Sequence, residues 1–139
     1  MSIQRIRYSD LNSRQREIYN FQKIAAILAD YGFNCIKLSD DWQGADFLAY
    51  HIDGINTLRV QLKGRMSIDR KYSGKNLHMA FPSRGIWYLI DHDTLVRIVG
   101  ERTKWLNTFS WTENGKYNSN APSVALTNAL GEFKIEFAE

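Results

Sequence analysis

The sequence predicts one mixed α/β (α+β) domain, and three observations support this. A long amphipathic segment near the start indicates a helix, and shorter alternating runs after it indicate strands. An Asp53-Gly54 pair between two such runs is a strong hairpin signal. At 139 residues with 44% hydrophobic content, the chain is long enough for one core. We therefore expect a single domain over residues 1–139, with a core of about residues 11–100 and a C-terminal helix and strand extension over residues 101–139.

The first helix is predicted to begin at Asn12 or Ser13, because Asn12 and Gln15 have the spacing of a capping box. We expect it to run to Tyr31, since Gly32 supplies a stop signal. A hydrophobic stripe spaced by three and four residues predicts the face that packs on the core.

The stripe of this helix contains one acidic residue, Glu17. Its apolar members are Phe21, Ile24, Leu28 and Tyr31, and the same spacing leads back to Glu17. A carboxylate on a core-facing stripe is costly to bury unless a partner compensates its charge. Glu17 is therefore either directed into a functional site or reaches solvent near the helix end.

The hairpin is predicted to join strands over Ala45–Ile52 and Ile55–Lys63 through a two-residue turn at Asp53-Gly54. This register places Phe47 opposite Val60 on an apolar face. Slipping by one residue would mix apolar and polar side chains on each face, so the pattern favours this register.

On the polar face of the hairpin, Asp46 falls opposite Gln61, with Lys63 on the same side. Asp46 followed by Gln61-Leu62-Lys63 resembles the active-site hairpin of the PD-(D/E)xK, or restriction-endonuclease-like, nuclease superfamily. Two positions depart from that motif. Ala45 stands where the name of the superfamily has Pro, and Gln61 stands where an acid is expected, which keeps an oxygen ligand but loses a charge.

The resemblance implies an αβββαβ core, a mixed sheet flanked by helices, and metal-dependent hydrolysis of phosphodiester bonds. It implies Mg²⁺, or Mn²⁺ in its place, held by the side chains of Glu17, Asp46 and Gln61 and by the Leu62 carbonyl. Glu17 would then restore the charge that Gln61 lacks. Lys63 would orient or deprotonate the attacking water and neutralise the phosphate. The predicted catalytic residues are Glu17, Asp46, Gln61 and Lys63.

Positive charge is concentrated next to this motif. Residues 59–75 contain six Lys and Arg residues against one acid, Asp69, whereas the whole chain has a net charge of +3. Such a focus is typical of a surface that binds phosphates, although a solvated loop can also be basic. The predicted DNA-binding residues are Arg65, Arg70, Lys71, Tyr72 and Lys75, with the Tyr72 ring stacking on a base or sugar. Duplex cleavage needs two cuts, which suits a homodimer.

Other elements follow from local patterns. Residues 39–44 are predicted as a loop in which Asp41 is a secondary metal candidate or, more commonly, an Asx-turn residue. Residues 64–76 are predicted as a basic loop without regular structure. The predicted strands are Phe33–Leu38, Leu77–Phe81, Ile86–Asp91 and Phe133–Phe137, and the predicted later helices are Asp91–Val99 and Ser123–Leu130.

Several classes of protein are disfavoured. The single cysteine, Cys35, gives no disulfide framework and suits a reducing cytoplasm. No apolar run is long enough for a membrane span, so we expect no membrane association. The histidines have no metal-ligand spacing. A metal-dependent DNA endonuclease is the leading hypothesis; a non-catalytic nucleic-acid-binding or assembly module and a protein-binding domain are the alternatives.

Overall fold

The computed structural model describes residues 1–119 and 122–138. Positions 120, 121 and 139 of the predicted C-terminal extension lie outside the described residues. The described helices are α1 (Ser13–Ala29), α2 (His92–Arg102), α3 (Phe109–Asn114) and α4 (Val124–Ala129). The described strands are β1 (Phe33–Trp42), β2 (Ala45–His51), β3 (Thr57–Leu62), β4 (Met66–Asp69), β5 (Leu77–Ser83), β6 (Ile86–Asp91), β7 (Lys116–Ser119) and β8 (Lys134–Ile135). Across the described ranges, no helix has the length and apolar character needed to cross a membrane.

Helix α1 begins as the sequence predicts. Asn12 Oδ1 accepts a hydrogen bond from the Gln15 N–H at 2.8 Å, and Gln15 Oε1 accepts one from the Asn12 N–H at 2.9 Å, which completes the capping box. The helix ends at Ala29, two residues before the predicted end. Tyr31 is 44% exposed and not part of the buried stripe, which consists of Ile24, Ile27 and Leu28.

Among the described residues, the main sheet has six strands in the order β1-β2-β3-β5-β6-β8, and only the β3–β5 pair is parallel. The fold is therefore a mixed sheet flanked by helices, as predicted. Phe47 pairs with Val60, which confirms the predicted hairpin register. The predicted two-residue turn is wrong, however, because β2 ends at His51 and β3 begins only at Thr57. The Asp53 carboxylate stabilises the wider loop by accepting hydrogen bonds from the N–H groups of Ile55 and Asn56.

Strand β1 is longer than predicted and carries a bulge. It runs to Trp42, so most of the predicted loop at residues 39–44 is strand. Lys37 pairs with Phe47 and Trp42 pairs with Ala45, so residues 38–41 lie across from Asp46 alone. The bulge gives the chain a local bend next to Asp46. Asp41 Oδ1 accepts a hydrogen bond from the Gly44 N–H at 2.8 Å, which is the Asx-turn role expected for it.

The crossover from β3 to the parallel strand β5 differs from the prediction. Within residues 63–76, all of which the structure describes, there is a buried strand β4 and a 3₁₀ turn at Arg70–Tyr72, but no α-helix. The predicted basic loop is therefore wrong for this segment. Strand β4 pairs with β7 in a second, two-stranded sheet. The pairing explains why β4 is ordered, since its backbone groups are satisfied by a distant segment.

Two hydrophobic clusters lie on opposite faces of the main sheet. One joins α1 to the sheet through Ile24, Leu28, Phe47, Val60 and Ala80. The other includes Phe81 with α2 and α4 side chains such as Leu95, Leu126 and Leu130. Neighbouring residues on one strand, such as Ala80 and Phe81, point to opposite faces, which accounts for the division.

Candidate active site

A cleft of about 300 Å³ opens where α1 passes the carboxyl end of β3. It is lined by Glu17, Asn20, Lys37, Asp46, Gln61, Leu62, Lys63 and Gly64. The structure therefore brings together the four side chains predicted to be catalytic, together with Leu62. Helix α1, the start of β2 and the end of β3 each contribute part of the cleft. The roles of these residues stay predictions.

The Asp46 side chain is held by the backbone of the next strand. Its Oδ2 accepts a hydrogen bond from the Leu62 N–H at 2.8 Å. The pKa of this carboxyl is raised, first by desolvation and then by the nearby Asp41 carboxylate, while the Leu62 hydrogen bond, Lys63 and Lys37 oppose the shift. The negative charge on Asp46 is therefore less stable in the protein alone than it would be in water. A cation would reverse that penalty.

Gln61 carries an unsatisfied oxygen into the cleft. The residue is 6% exposed, and its Oε1 is buried with no hydrogen-bond partner among the described residues. Leaving a buried acceptor unpaired costs roughly 1–3 kcal/mol. Such a group in a folded protein calls for an explanation, and an ion or a water is the usual one. Gln61 is thus the position in the cleft at which a ligand is most needed.

Glu17 is not buried as the helical stripe suggested. It is exposed, and it lines both the cleft and a neighbouring cavity of about 480 Å³ that also contains Asp40, Asp41 and Asp46. The prediction that Glu17 is buried is wrong, because burial on that side of α1 begins one turn later, at Asn20 and Ile24. Its carboxylate nevertheless faces the same space as Asp46.

Lys63 follows directly after β3, and its backbone N–H donates to the Ala80 carbonyl at 2.9 Å. Its ammonium lies 5.7 Å from the centre of the Tyr72 ring, a distance at which a cation is attracted to an aromatic face. The positive end of the side chain is thus held near a buried ring. Lys63 lines the same cleft as Asp46 and Gln61.

Sequence reasoning missed two further cleft residues, Lys37 and Asn20. Lys37 belongs to the last regular β1–β2 pair before the bulge, and its ammonium lies 5.8 Å from the Phe21 ring. Asn20 is buried on α1 and donates a hydrogen bond to Tyr8 Oη at 3.0 Å. A polar residue one helical turn after Glu17 was the available signal for Asn20. Lys37 had none, because its position depends on the unpredicted bulge.

The oxygen groups of the cleft fit a hard divalent cation. Across residues 1–119 and 122–138, no three His, Cys, Asp or Glu side chains form a group that could hold a metal ion. A metal here would need mixed ligands, namely the carboxylates of Asp46 and Glu17, the Gln61 oxygen and the Leu62 carbonyl. Carboxylate, amide and carbonyl oxygens are ligands that Mg²⁺ accepts, usually alongside water. The unpaired Gln61 oxygen is the observation that agrees with this set.

The predicted DNA-binding side chains divide into two groups. Lys71 and Lys75 are exposed, as is Arg65. The Lys71 ammonium lies 3.9 Å from an Asp69 oxygen, and its side chain is 62% exposed, so it can still reach a phosphate. Arg70 instead binds the protein itself, because its guanidinium donates to the carbonyls of Trp111 and Thr112.

Tyr72 is a correction to the sequence prediction. The residue is 4% exposed and belongs to the core cluster, with its ring edge-on to His92 at 5.7 Å between centres. Burial raises the pKa of its hydroxyl to about 12. The predicted stacking of Tyr72 on a base is wrong, because the 3₁₀ turn directs the ring inward while its neighbours Lys71 and Lys75 stay exposed.

The fold of this chain has similarity among solved structures but not among families or curated sequences. No family model matches the chain, and no curated protein matches it significantly in sequence. Among solved structures, it is similar to the bacterial homing endonuclease I-Ssp6803I, with 12% sequence identity and a TM-score of 0.48, over 88% of this chain and 94% of that chain. At this identity no site residue is transferred from that protein to this chain.

Proposed function

We propose that this protein is a metal-dependent DNA endonuclease that hydrolyses phosphodiester bonds with Mg²⁺ or Mn²⁺. The observation that carries the proposal is the buried, unpaired Oε1 of Gln61 in a cleft shared with two carboxylates and two lysines. The Asp-Gln-x-Lys pattern of the hairpin supports it further. The lone Cys35 suits a cytoplasmic location.

Asp46, Glu17, Gln61 and the Leu62 carbonyl would hold the ion. When bound, a divalent ion lowers the pKa of a water and stabilises charge on the leaving oxygen. Two carboxylates and a neutral amide match the charge of one divalent cation. The Asp46 carboxylate would be stabilised by such a partner, because desolvation raises its pKa in the protein alone.

Lys63 would act on the phosphate and on the attacking water. Its ammonium can donate to a non-bridging oxygen, where negative charge increases in the transition state. It can also orient the water for attack on phosphorus. Lys37 lines the same cleft and adds a second positive charge, which offsets repulsion between the DNA phosphate and the two carboxylates.

Beyond the cleft, exposed Lys71, Lys75 and Arg65 would contact the DNA backbone. Phosphate contacts position a protein on DNA without reading its sequence. Cutting both strands of a duplex would need two such sites, so we propose a two-fold homodimer on that substrate.

A second candidate function is a DNA-binding or assembly module that does not cut. The neutral Gln61 favours it, because an amide contributes less than a carboxylate to holding a cation. Such a protein would retain salt-sensitive DNA binding through the exposed cations without hydrolysis.

Nicking of supercoiled plasmid tests the two candidates. We expect wild-type protein to nick DNA with Mg²⁺ or Mn²⁺ and not with EDTA. Asp46→Ala and Lys63→Ala should each be at least about 100-fold slower. Asp10→Ala and Lys104→Ala, which change exposed residues outside the cleft, are matched controls that should cut normally. Binding without cutting under every divalent ion would establish the non-catalytic module, and absence of DNA binding would refute both.

A further inference from the structure

A second and larger groove, of about 530 Å³, opens beside the cleft. The two share Asn20 and Gly64 in their linings, so they lie side by side. The wall of this groove is largely aromatic and aliphatic, with Tyr8, Tyr19, Ile86 and Trp87 among its residues. The proposed endonuclease reaction uses none of these four side chains.

The aromatic wall is fixed to the cleft by one hydrogen bond. Asn20, which is 8% exposed, donates from Nδ2 to Tyr8 Oη at 3.0 Å. The Tyr8 ring meets Tyr19 edge-to-face, with 5.3 Å between ring centres, while Tyr8 is still 41% exposed. An accessible and pre-positioned aromatic surface therefore begins next to the candidate metal ligands.

The charges around the groove suit an anionic ligand with a flat ring. The Lys23 ammonium lies 5.2 Å from the centre of the Tyr19 ring, and the Arg16 guanidinium lies 5.1 Å from that of Tyr8. The carboxylate in the lining, Glu136, lies 4.0 Å from the Lys134 ammonium, which offsets its charge. Aromatic side chains bordered by cations are how proteins bind successive bases of a single strand.

We propose that this groove binds an unpaired nucleobase of the DNA strand whose phosphate lies in the cleft. The proposal rests on the endonuclease function and specifies its substrate class. A base inside a duplex is stacked and paired, so it must be extruded or already unpaired to enter a groove in a protein. The preferred substrate is therefore DNA with an unpaired nucleotide next to the scissile phosphate, as in a single strand, a flap or a mismatch.

Binding of oligonucleotides with 2-aminopurine tests the groove without cleavage. Asp46→Asn protein in EDTA serves as the background, with a single strand and a perfect duplex of the same sequence as ligands. We expect tighter binding of the single strand, with a change in 2-aminopurine fluorescence at one position. Trp87→Leu and Tyr19→Leu should each weaken single-strand binding by about tenfold. Phe109→Leu, which changes a 74% exposed aromatic outside the groove, should not.

The slope of affinity against salt separates base stacking from phosphate binding. Trp87→Leu and Tyr19→Leu should leave this slope unchanged, because the backbone contacts are retained. Circular dichroism confirms that each variant folds, and Tyr19→Leu on the surface of α1 provides a second variant if Trp87→Leu unfolds. Equal loss of single-strand and duplex binding would overturn the proposal. A change in oligomeric mass on Trp87→Leu, by sedimentation, would overturn it in favour of a contact between copies.

The outcomes for the groove and for the endonuclease are distinguishable. Metal-dependent nicking with no preference for unpaired DNA would refute the base site and leave the nuclease intact. A position-specific 2-aminopurine response in a protein that never cuts would support the base site and refute the nuclease.

Discussion

Asp46 Oδ2 accepts a hydrogen bond from the Leu62 N–H at 2.8 Å, at the point where β2 and β3 cease to pair. The last paired residues are Phe47 and Val60. Beyond them, the Asp46 carboxylate accepts the hydrogen bond from β3 that a backbone carbonyl of β2 would accept if the pairing continued. One oxygen of Asp46 is thereby fixed by the main chain of β3. The other can be directed to a cation without loss of that bond.

We predict that Asp46 makes the metal-free protein less stable as pH rises. Desolvation raises its folded-state pKa above the ordinary value of 3.8, so the folded protein binds this proton more tightly than the unfolded chain does. The stability that this bound proton contributes is complete below pH 3.8 and is lost as pH rises through the raised pKa of Asp46. Urea unfolding in EDTA should show that wild type loses free energy of unfolding relative to Asp46→Asn as pH rises over this range.

Asp41→Asn is the control for this pH dependence. The asparagine side chain would keep an acceptor for the Gly44 N–H but remove the like charge that helps to raise the Asp46 pKa. The pH at which stability falls should move down. The same variant should move the acidic limit of metal-dependent cleavage down, because protonated Asp46 cannot bind a cation. Identical profiles for wild type and Asp41→Asn would contradict the proposed coupling.

We predict that Gln61 lowers the free energy of unfolding of the metal-free protein and contributes to metal binding. Gln61→Met keeps a similar volume and removes the unpaired oxygen, so it should raise the free energy of unfolding by about 1 kcal/mol and abolish Mn²⁺ binding. Gln61→Glu should tighten Mn²⁺ binding on the order of tenfold, because it adds a ligand charge. Calorimetric titration and urea unfolding measure the two effects. A Gln61→Met variant that still binds Mn²⁺ normally would remove Gln61 from the ligand set.

Two neighbouring cations should behave differently when replaced. Lys75→Ala should reduce the slope of log affinity for DNA against log salt by about 1, with stability unchanged, because Lys75 is exposed. Arg70→Ala should instead lower the free energy of unfolding by about 1 kcal/mol, because its guanidinium binds the carbonyls of Trp111 and Thr112. Salt-dependent binding and urea unfolding of both variants form a matched pair. A reversal of the two effects would contradict the assigned contacts.

Alanine substitution at two glycines distinguishes the energetic cost of backbone strain from that of side-chain crowding near the cleft. Both Gly44 (φ +88°) and Gly54 (φ +73°) have left-handed backbone, so alanine at either should cost about 1 kcal/mol. A Cβ on Gly44 would lie 2.6 Å from Leu77 Cδ1, whereas nothing lies within 4 Å at Gly54. Gly44→Ala should therefore cost roughly 1–3 kcal/mol more in unfolding free energy than Gly54→Ala. Equal losses would show that the core yields easily at Leu77.

The part of the site set by local periodicity could be predicted from sequence. The alternation of apolar and polar residues fixed the β2–β3 register, which puts Asp46 next to Gln61-Leu62-Lys63. Helical spacing placed Glu17 on the correct side of α1 but overstated its burial. Both results depend on contacts within one element or between consecutive ones.

The rest depends on distant pairing that a single sequence does not reveal. Strand β4 is only four residues long and is ordered by β7. Turn-forming residues at 39–41 concealed the bulge of β1. Tyr72 lies between exposed lysines in sequence, yet the 3₁₀ turn directs it inward. Proximity in sequence to Lys71 and Lys75 therefore did not indicate the direction in which the Tyr72 ring faces.

The β4–β7 sheet also bears on the order in which parts of the fold form during synthesis. Ser67 Oγ of β4 donates a hydrogen bond to Asn118 Oδ1 of β7, 51 positions later, so this contact can form only after β7 has left the ribosome. The β4–β7 sheet therefore forms only after strands β1 to β6 have been synthesised.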